Sequence, residues 1–111
     1  MNNIFNFISM FGSMFGNHSS RLVDNYESDN FTIDTCLVTD SEYNYETAVK
    51  YDGFNDGKWM IVEQYNAESE AQDGHNRWVE YLTNNEPEYF KDINVFTQTV
   101  TIVKKDNEIG G

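Results

Sequence analysis

Tyr45-Glu-Thr-Ala-Val-Lys-Tyr51, Asp52-Gly-Phe-Asn-Asp-Gly57, Lys58-Trp-Met-Ile-Val-Glu-Gln-Tyr65 and Ala67-Glu-Ser-Glu-Ala-Gln-Asp-Gly-His-Asn-Arg-Trp-Val-Glu-Tyr-Leu82 succeed one another almost without a break. The first segment alternates Tyr45, Thr47, Val49 and Tyr51 with Glu46, Ala48 and Lys50, the period of a strand. The second is a cluster of residues that tolerate positive φ and predicts a turn. The third alternates Trp59, Ile61, Glu63 and Tyr65 with Met60, Val62 and Gln64. Its apolar residues fall on both faces, which predicts a central strand covered on both sides. The fourth places Ala71, His75, Trp78, Val79 and Leu82 on one helical stripe. Asn66 suits its N-cap, and Glu68 and Glu70 meet the positive end of the helix dipole. Strand, turn, strand and helix therefore follow in order.

Outward from that core, Phe31-Thr-Ile-Asp-Thr-Cys-Leu-Val-Thr39 is rich in β-branched residues. As a strand it divides Phe31, Ile33, Thr35 and Leu37 from Thr32, Asp34, Cys36 and Val38. Val95-Phe-Thr-Gln-Thr-Val-Thr-Ile-Val103 has the strongest strand composition in the chain and sets Phe96, Val100 and Ile102 on one face. The expected fold class is α+β: a small antiparallel sheet of about four strands with the 67–82 helix packed across one face. Trp78, Val79 and Leu82 are expected against the strands carrying Ile61 and Val100. An N-terminal apolar helix is added at residues 1–16, where Ile4, Phe7, Ile8, Phe11 and Phe15 recur at helical spacing. Residues 17–30 read as a polar connector, 31–103 as the single α+β domain and 104–111 as a mobile tail.

The chain has 111 residues and a formal net charge of −12, from nineteen acids and seven bases. Such a field repels DNA, RNA and anionic lipid, so direct nucleic-acid binding is excluded first. Residues 1–20 carry no charged side chain. They can pack on their own domain or hook into a partner, with Ile4, Phe7, Ile8, Phe11 and Phe15 as the contact residues. A membrane-surface anchor would carry Lys or Arg there. No apolar run approaches the ~20 residues of a membrane-spanning helix.

The chemical inventory is thin. Cys36 is the single cysteine, so no intramolecular disulfide can form. Cys36 and His75 are the one candidate thiol–imidazole pair, yet no base neighbours Cys36 in sequence to lower its pKa. One cysteine and two histidines offer too few ligands for a zinc site. The Asp52 loop has Phe54 where a calcium loop needs an oxygen. Gly74 costs a helix about 1 kcal/mol against Ala, which predicts a close crossing at that point. Gly74, His75 and Trp78 are therefore expected to be structural. Trp59, Tyr65, Trp78 and Tyr81 have the composition of an interaction surface, though most serve equally as core. No catalytic, cofactor-binding or metal-binding residue is assigned, and a non-enzymatic protein is expected.

Several of these pieces occur together in a further context: Asp34-Thr-Cys, Val38-Thr-Asp-Ser, Tyr45-Glu-Thr-Ala-Val, Tyr51-Asp-Gly-Phe-Asn-Asp-Gly-Lys-Trp and Glu70-Ala-Gln-x-Gly-His-x-Arg-Trp-Val79, with the leader Met10-Phe-Gly-Ser-Met-Phe-Gly16. Over residues 10–83 the chain resembles a family of small tailed-bacteriophage proteins with no assigned activity. The resemblance implies a minor virion-associated or structural accessory protein in the host cytoplasm or virion. Its partner would be another phage subunit, and self-association stays open. An acidic nucleic-acid mimic that inhibits a basic host protein, such as a defence protein, is the alternative.

Overall fold

The computed structural model of the protein describes residues 21–38 and 43–106. Among the described residues six strands and one long helix fold as α+β. They are β1 (Arg21–Glu27), β2 (Phe31–Leu37), β3 (Tyr45–Tyr51), β4 (Met60–Tyr65), α1 (Glu68–Asn84), β5 (Tyr89–Ile93) and β6 (Val100–Lys104). The first four make an antiparallel sheet in the order β1-β2-β3-β4, and β5 and β6 form a separate antiparallel hairpin. Helix α1 lies across one face of the larger sheet and touches all four of its strands.

The turn between β3 and β4 fulfils its composition. Gly53, Asn55, Asp56 and Gly57 all have positive φ, around a short 3-10 turn at Asn55–Gly57. Helix α1 starts one residue later than the Asn66 cap implies. Ala67 is its N-cap, and the Glu70 carboxylate instead accepts the Asn66 N–H at 3.3 Å.

Both faces of the sheet are buried. On the helix side Phe31, Ile33, Val49, Tyr51, Met60 and Val62 pack with Leu82 and Phe90, and Trp78 and Val79 sit partly buried against them. On the far side Cys36, Val38, Ala48 and Ile61 pack with Val95. Ile61 thus faces away from the helix, and the helix packs on Met60 and Val62 instead. The cause is a β-bulge. The β3–β4 register shifts between Thr47 and Ala48, so Thr47 opposes Glu63 while Ala48 opposes Ile61. Val62 is the extra residue, and after it Glu63 and Tyr65 also turn toward the helix.

Four sequence-based assignments change. Arg21–Glu27 lies inside the expected connector of residues 17–30 but is strand β1. Its own register shift between Leu22 and Asp24 destroys the alternation that would reveal it. Strand β4 ends the sheet instead of lying at its centre. Its apolar faces are covered all the same, one by Leu82 and Phe90 and the other by Val95, while β5 flanks its edge, where Asp92 Oδ1 accepts the Ile61 N–H at 3.0 Å. The 95–103 strand is shortened to β6, because residues 95–97 turn and Gln98 has a φ of 61°. Val100 and Ile102 are half exposed and Phe96 is 73% exposed, so this face is surface and not core. The start of the expected tail is also tied down: Lys104 ends β6, Lys105 bridges Phe54, and Asp106 N–H donates to Gly53 O at 2.8 Å. Residues 1–16, and with them the expected N-terminal helix, lie outside the described residues.

Aromatic stacking joins the hairpin to the sheet. Phe31 stacks on Tyr51 at 5.5 Å, Phe54 meets Phe90 edge-on at 4.9 Å, and Tyr51 and Trp78 also contact Phe90. Phe90 is 2% exposed and is the hairpin's anchor.

Candidate functional site

Beneath α1 a row of polar side chains crosses the sheet from β1 to β4. His75 Nδ1 lies 2.8 Å from Thr35 Oγ1, which lies 2.6 Å from Thr47 Oγ1. Thr47 Oγ1 is 2.9 Å from Tyr65 Oη, and Tyr65 donates to Glu63 Oε1 at 3.0 Å. The same Glu63 oxygen accepts Trp78 Nε1–H at 2.9 Å, and Arg77 pairs with the other oxygen at 3.4 Å. Counting protons fixes the direction. Tyr65 has one O–H and gives it to Glu63, so Thr47 must donate to Tyr65 and Thr35 to Thr47. Thr35 then accepts from His75, which requires a proton on Nδ1. The other ring nitrogen, Nε2, lies 3.9 Å from Asp24 Oδ2. Burial lowers the His75 pKa, and the Asp24 charge opposes that shift. Burial also raises the Tyr65 pKa, so the hydroxyl keeps the proton that the row needs.

Gly74 explains how the row fits. A Cβ at this position would collide with Tyr65 Oη, Cε1 and Cζ. The glycine is where a strand residue crosses under the helix, as its cost in a helix predicted. Gly74 and His75 are buried, and Trp78 is partly buried.

The far face of the sheet holds a different group. Asp34 and Cys36 lie two residues apart on β2, and Glu46 opposes Cys36 on β3. All three are buried. Asp34 accepts a hydrogen bond from Asn25 Nδ2, but its other oxygen and both Glu46 oxygens lack a hydrogen-bond partner among the described residues. Burial pushes both carboxyls up to about 7; Asn25 works against this in Asp34. Burial, with Glu46 and Asp34 adding to it, drives the Cys36 thiol far above its ordinary range. Thr35 faces the helix and Cys36 faces away, so the sheet itself separates Cys36 from His75. Among the described residues no three His, Cys, Asp or Glu side chains are placed to hold a metal ion. No helix among them is long and apolar enough to cross a membrane.

A concavity lies between the C-terminal half of α1 and β5. It is an open groove of about 630 Å³, lined by Val62, Arg77, Trp78, Tyr81, Asn85, Glu86, Glu88, Tyr89, Phe90 and Lys91. Tyr81 is 47% and Tyr89 49% exposed, and Tyr81 meets Trp78 edge-on at 6.1 Å. Trp78 is held from below by the Glu63 bond. Arg77 and Lys91 supply positive charge, and Glu86 and Glu88 supply negative charge. Of the aromatics weighed as an interaction surface, Trp78 and Tyr81 meet here. Tyr65 is core, and Trp59 packs on the far face beneath Lys50. Ile4, Phe7, Ile8, Phe11 and Phe15 lie outside the described residues. Comparison with protein-family models, curated proteins and solved structures finds no match for this chain.

Proposed function

We propose that the protein is non-enzymatic and works by binding another protein, with the α1–β5 groove as the contact surface. The observation that carries this reading is the pair of half-exposed tyrosines, Tyr81 and Tyr89, beside the anchored Trp78. Exposed aromatics on a rigid base give large contact area at small entropic cost, and they dominate binding hot spots. The groove is open, whereas a small-molecule site encloses most of its ligand. The high pKa of Cys36 and its separation from His75 argue against thiol catalysis.

The setting proposed is the one that the phage-like motifs imply: a minor virion-associated or accessory subunit whose partner is another phage protein. Mass spectrometry of purified, nuclease-treated virions tests the setting, and absence at stoichiometric level would remove it. Binding of the recovered partner to a Tyr81→Ala, Tyr89→Ala variant tests the surface. An affinity loss of about tenfold or more is expected. The nucleic-acid mimic is the second reading. It needs an unbroken row of carboxylates, and on α1 the exposed Arg77 falls between Asp73 and Glu80.

A further inference from the structure

We propose that two copies of this chain pair edge to edge through β6, antiparallel, about a twofold axis at Thr101. The backbone directions come from the β5–β6 register. Asn94 N–H donates to Thr99 O at 2.8 Å, and the register then runs Ile93–Val100, Asp92–Thr101, Lys91–Ile102 and Phe90–Val103. Hydrogen-bonded pairs alternate along an antiparallel ladder. Asp92–Thr101 and Phe90–Val103 therefore exchange bonds, while Val100 and Ile102 turn their N–H and C=O groups away from β5. Among the described residues no strand pairs with that side of β6; the bridge of Lys105 to Phe54 lies beyond the strand's end.

A second β6 matches this edge. With Thr101 opposite Thr101 of the other copy, Val100 exchanges both backbone bonds with Ile102 of the other copy, and Ile102 with its Val100. All the outward groups of both residues are then used. The same register sets Val100 beside Ile102 on the exposed face, twice, and β-branched cross-strand pairs are favourable. Both side chains are half exposed in the single chain, and Phe96 lies exposed in the adjacent turn.

Charge singles out this edge, and the self-complementary register names a second copy as its occupant. Two chains of −12 each repel one another. The strands β1 to β5 each carry at least one acid, whereas β6, Val-Thr-Ile-Val-Lys, carries none. The opposite edge of the large sheet, β1, is guarded by Asp24, Glu27 and a bulge, the usual devices against strand addition. β6 has no acid and no bulge, and its one charge, Lys104, stands at the strand's end, outside the Val100–Ile102 pairs. The contact is short, so the dimer is weak and concentration-dependent.

Sedimentation equilibrium of the full chain tests the proposal. A dimer fraction growing over roughly 10 µM to 1 mM is expected. Ile102→Pro removes an outward N–H without touching a β5 bond, and should leave a monomer with unchanged circular dichroism. Ile102→Lys, which keeps the backbone, should do the same by charge. Thr101→Cys should cross-link two copies under mild oxidation, because non-hydrogen-bonded partners stand about 4.5 Å apart, within disulfide range. Val100→Cys, displaced from the axis, should not. A wild-type chain that stays monomeric throughout would overturn the proposal. So would a dimer that survives both Ile102 variants, or one that is lost on deleting residues 1–20 but not on changing Ile102.

Discussion

Gly74→Ala should destabilise the protein, although helix propensity alone gives the opposite sign. In an exposed helix the change gains about 1 kcal/mol. Here the added methyl would fall on the Tyr65 ring, meeting Oη, Cε1 and Cζ. Tyr65 is 5% exposed, and its hydroxyl bridges Thr47 and Glu63. The ring cannot withdraw without leaving both partners. Overpacking of a filled site costs about 1–3 kcal/mol, and each hydrogen bond lost costs about 1 kcal/mol more. Against the propensity gain, a net loss of about 2–4 kcal/mol is expected. Urea unfolding followed by tryptophan fluorescence measures it, as a lower midpoint at constant slope. In a Tyr65→Leu background the obstacle is gone, and Gly74→Ala should then cost at least ~1.5 kcal/mol less. A stabilised Gly74→Ala variant, or additive effects of the two changes, would refute the crossing.

Leu82→Ala should cost about 2–5 kcal/mol in the same assay, since Leu82 is 3% exposed in the helix-side core. Glu46→Gln should raise the melting temperature at pH 8 and give no such gain at pH 4. The Glu46 carboxyl, raised to about 7 by burial, favours the folded state below its ordinary value of 4.5. That contribution is lost as pH rises from 4.5 through 7, by about 3–4 kcal/mol at most. His75 acts with the opposite sign, losing stability as pH falls below 6.5, so wild type and variant must be compared at each pH. Cys36, buried and with its thiol pKa raised, should resist a water-soluble thiol reagent until the protein unfolds; rapid labelling of the native chain would contradict its placement.

What the sequence announced were the elements whose pattern is local. Strands β2 and β3 alternate cleanly, the Asp52–Gly57 segment has turn chemistry, and the α1 stripe is periodic. Gly74 also spoke for itself, because a costly residue inside a helix calls for a contact. What stayed hidden was set by geometry between elements. The bulge near Leu22 masked β1, and the bulge in β4 turned Ile61 away from the helix. Residues 95–103 have strand composition, but a positive φ at Gln98 turns half of them into a hairpin loop. Asp34 and Glu46 look like surface acids until β2 and β3 are laid side by side. The groove draws Val62, Trp78, Tyr81 and Phe90 from three elements, and no spacing in the chain connects them.

In the proposed phage setting, site-specific photo-cross-linking in infected bacteria tests partner binding most directly. A photoreactive phenylalanine replaces Tyr81 at the groove or, as a control, exposed Asp56 at the far turn. One discrete cross-linked partner protein is expected from position 81 and none from position 56. Equal products from both positions, or none from position 81 while the protein is abundant, would contradict it.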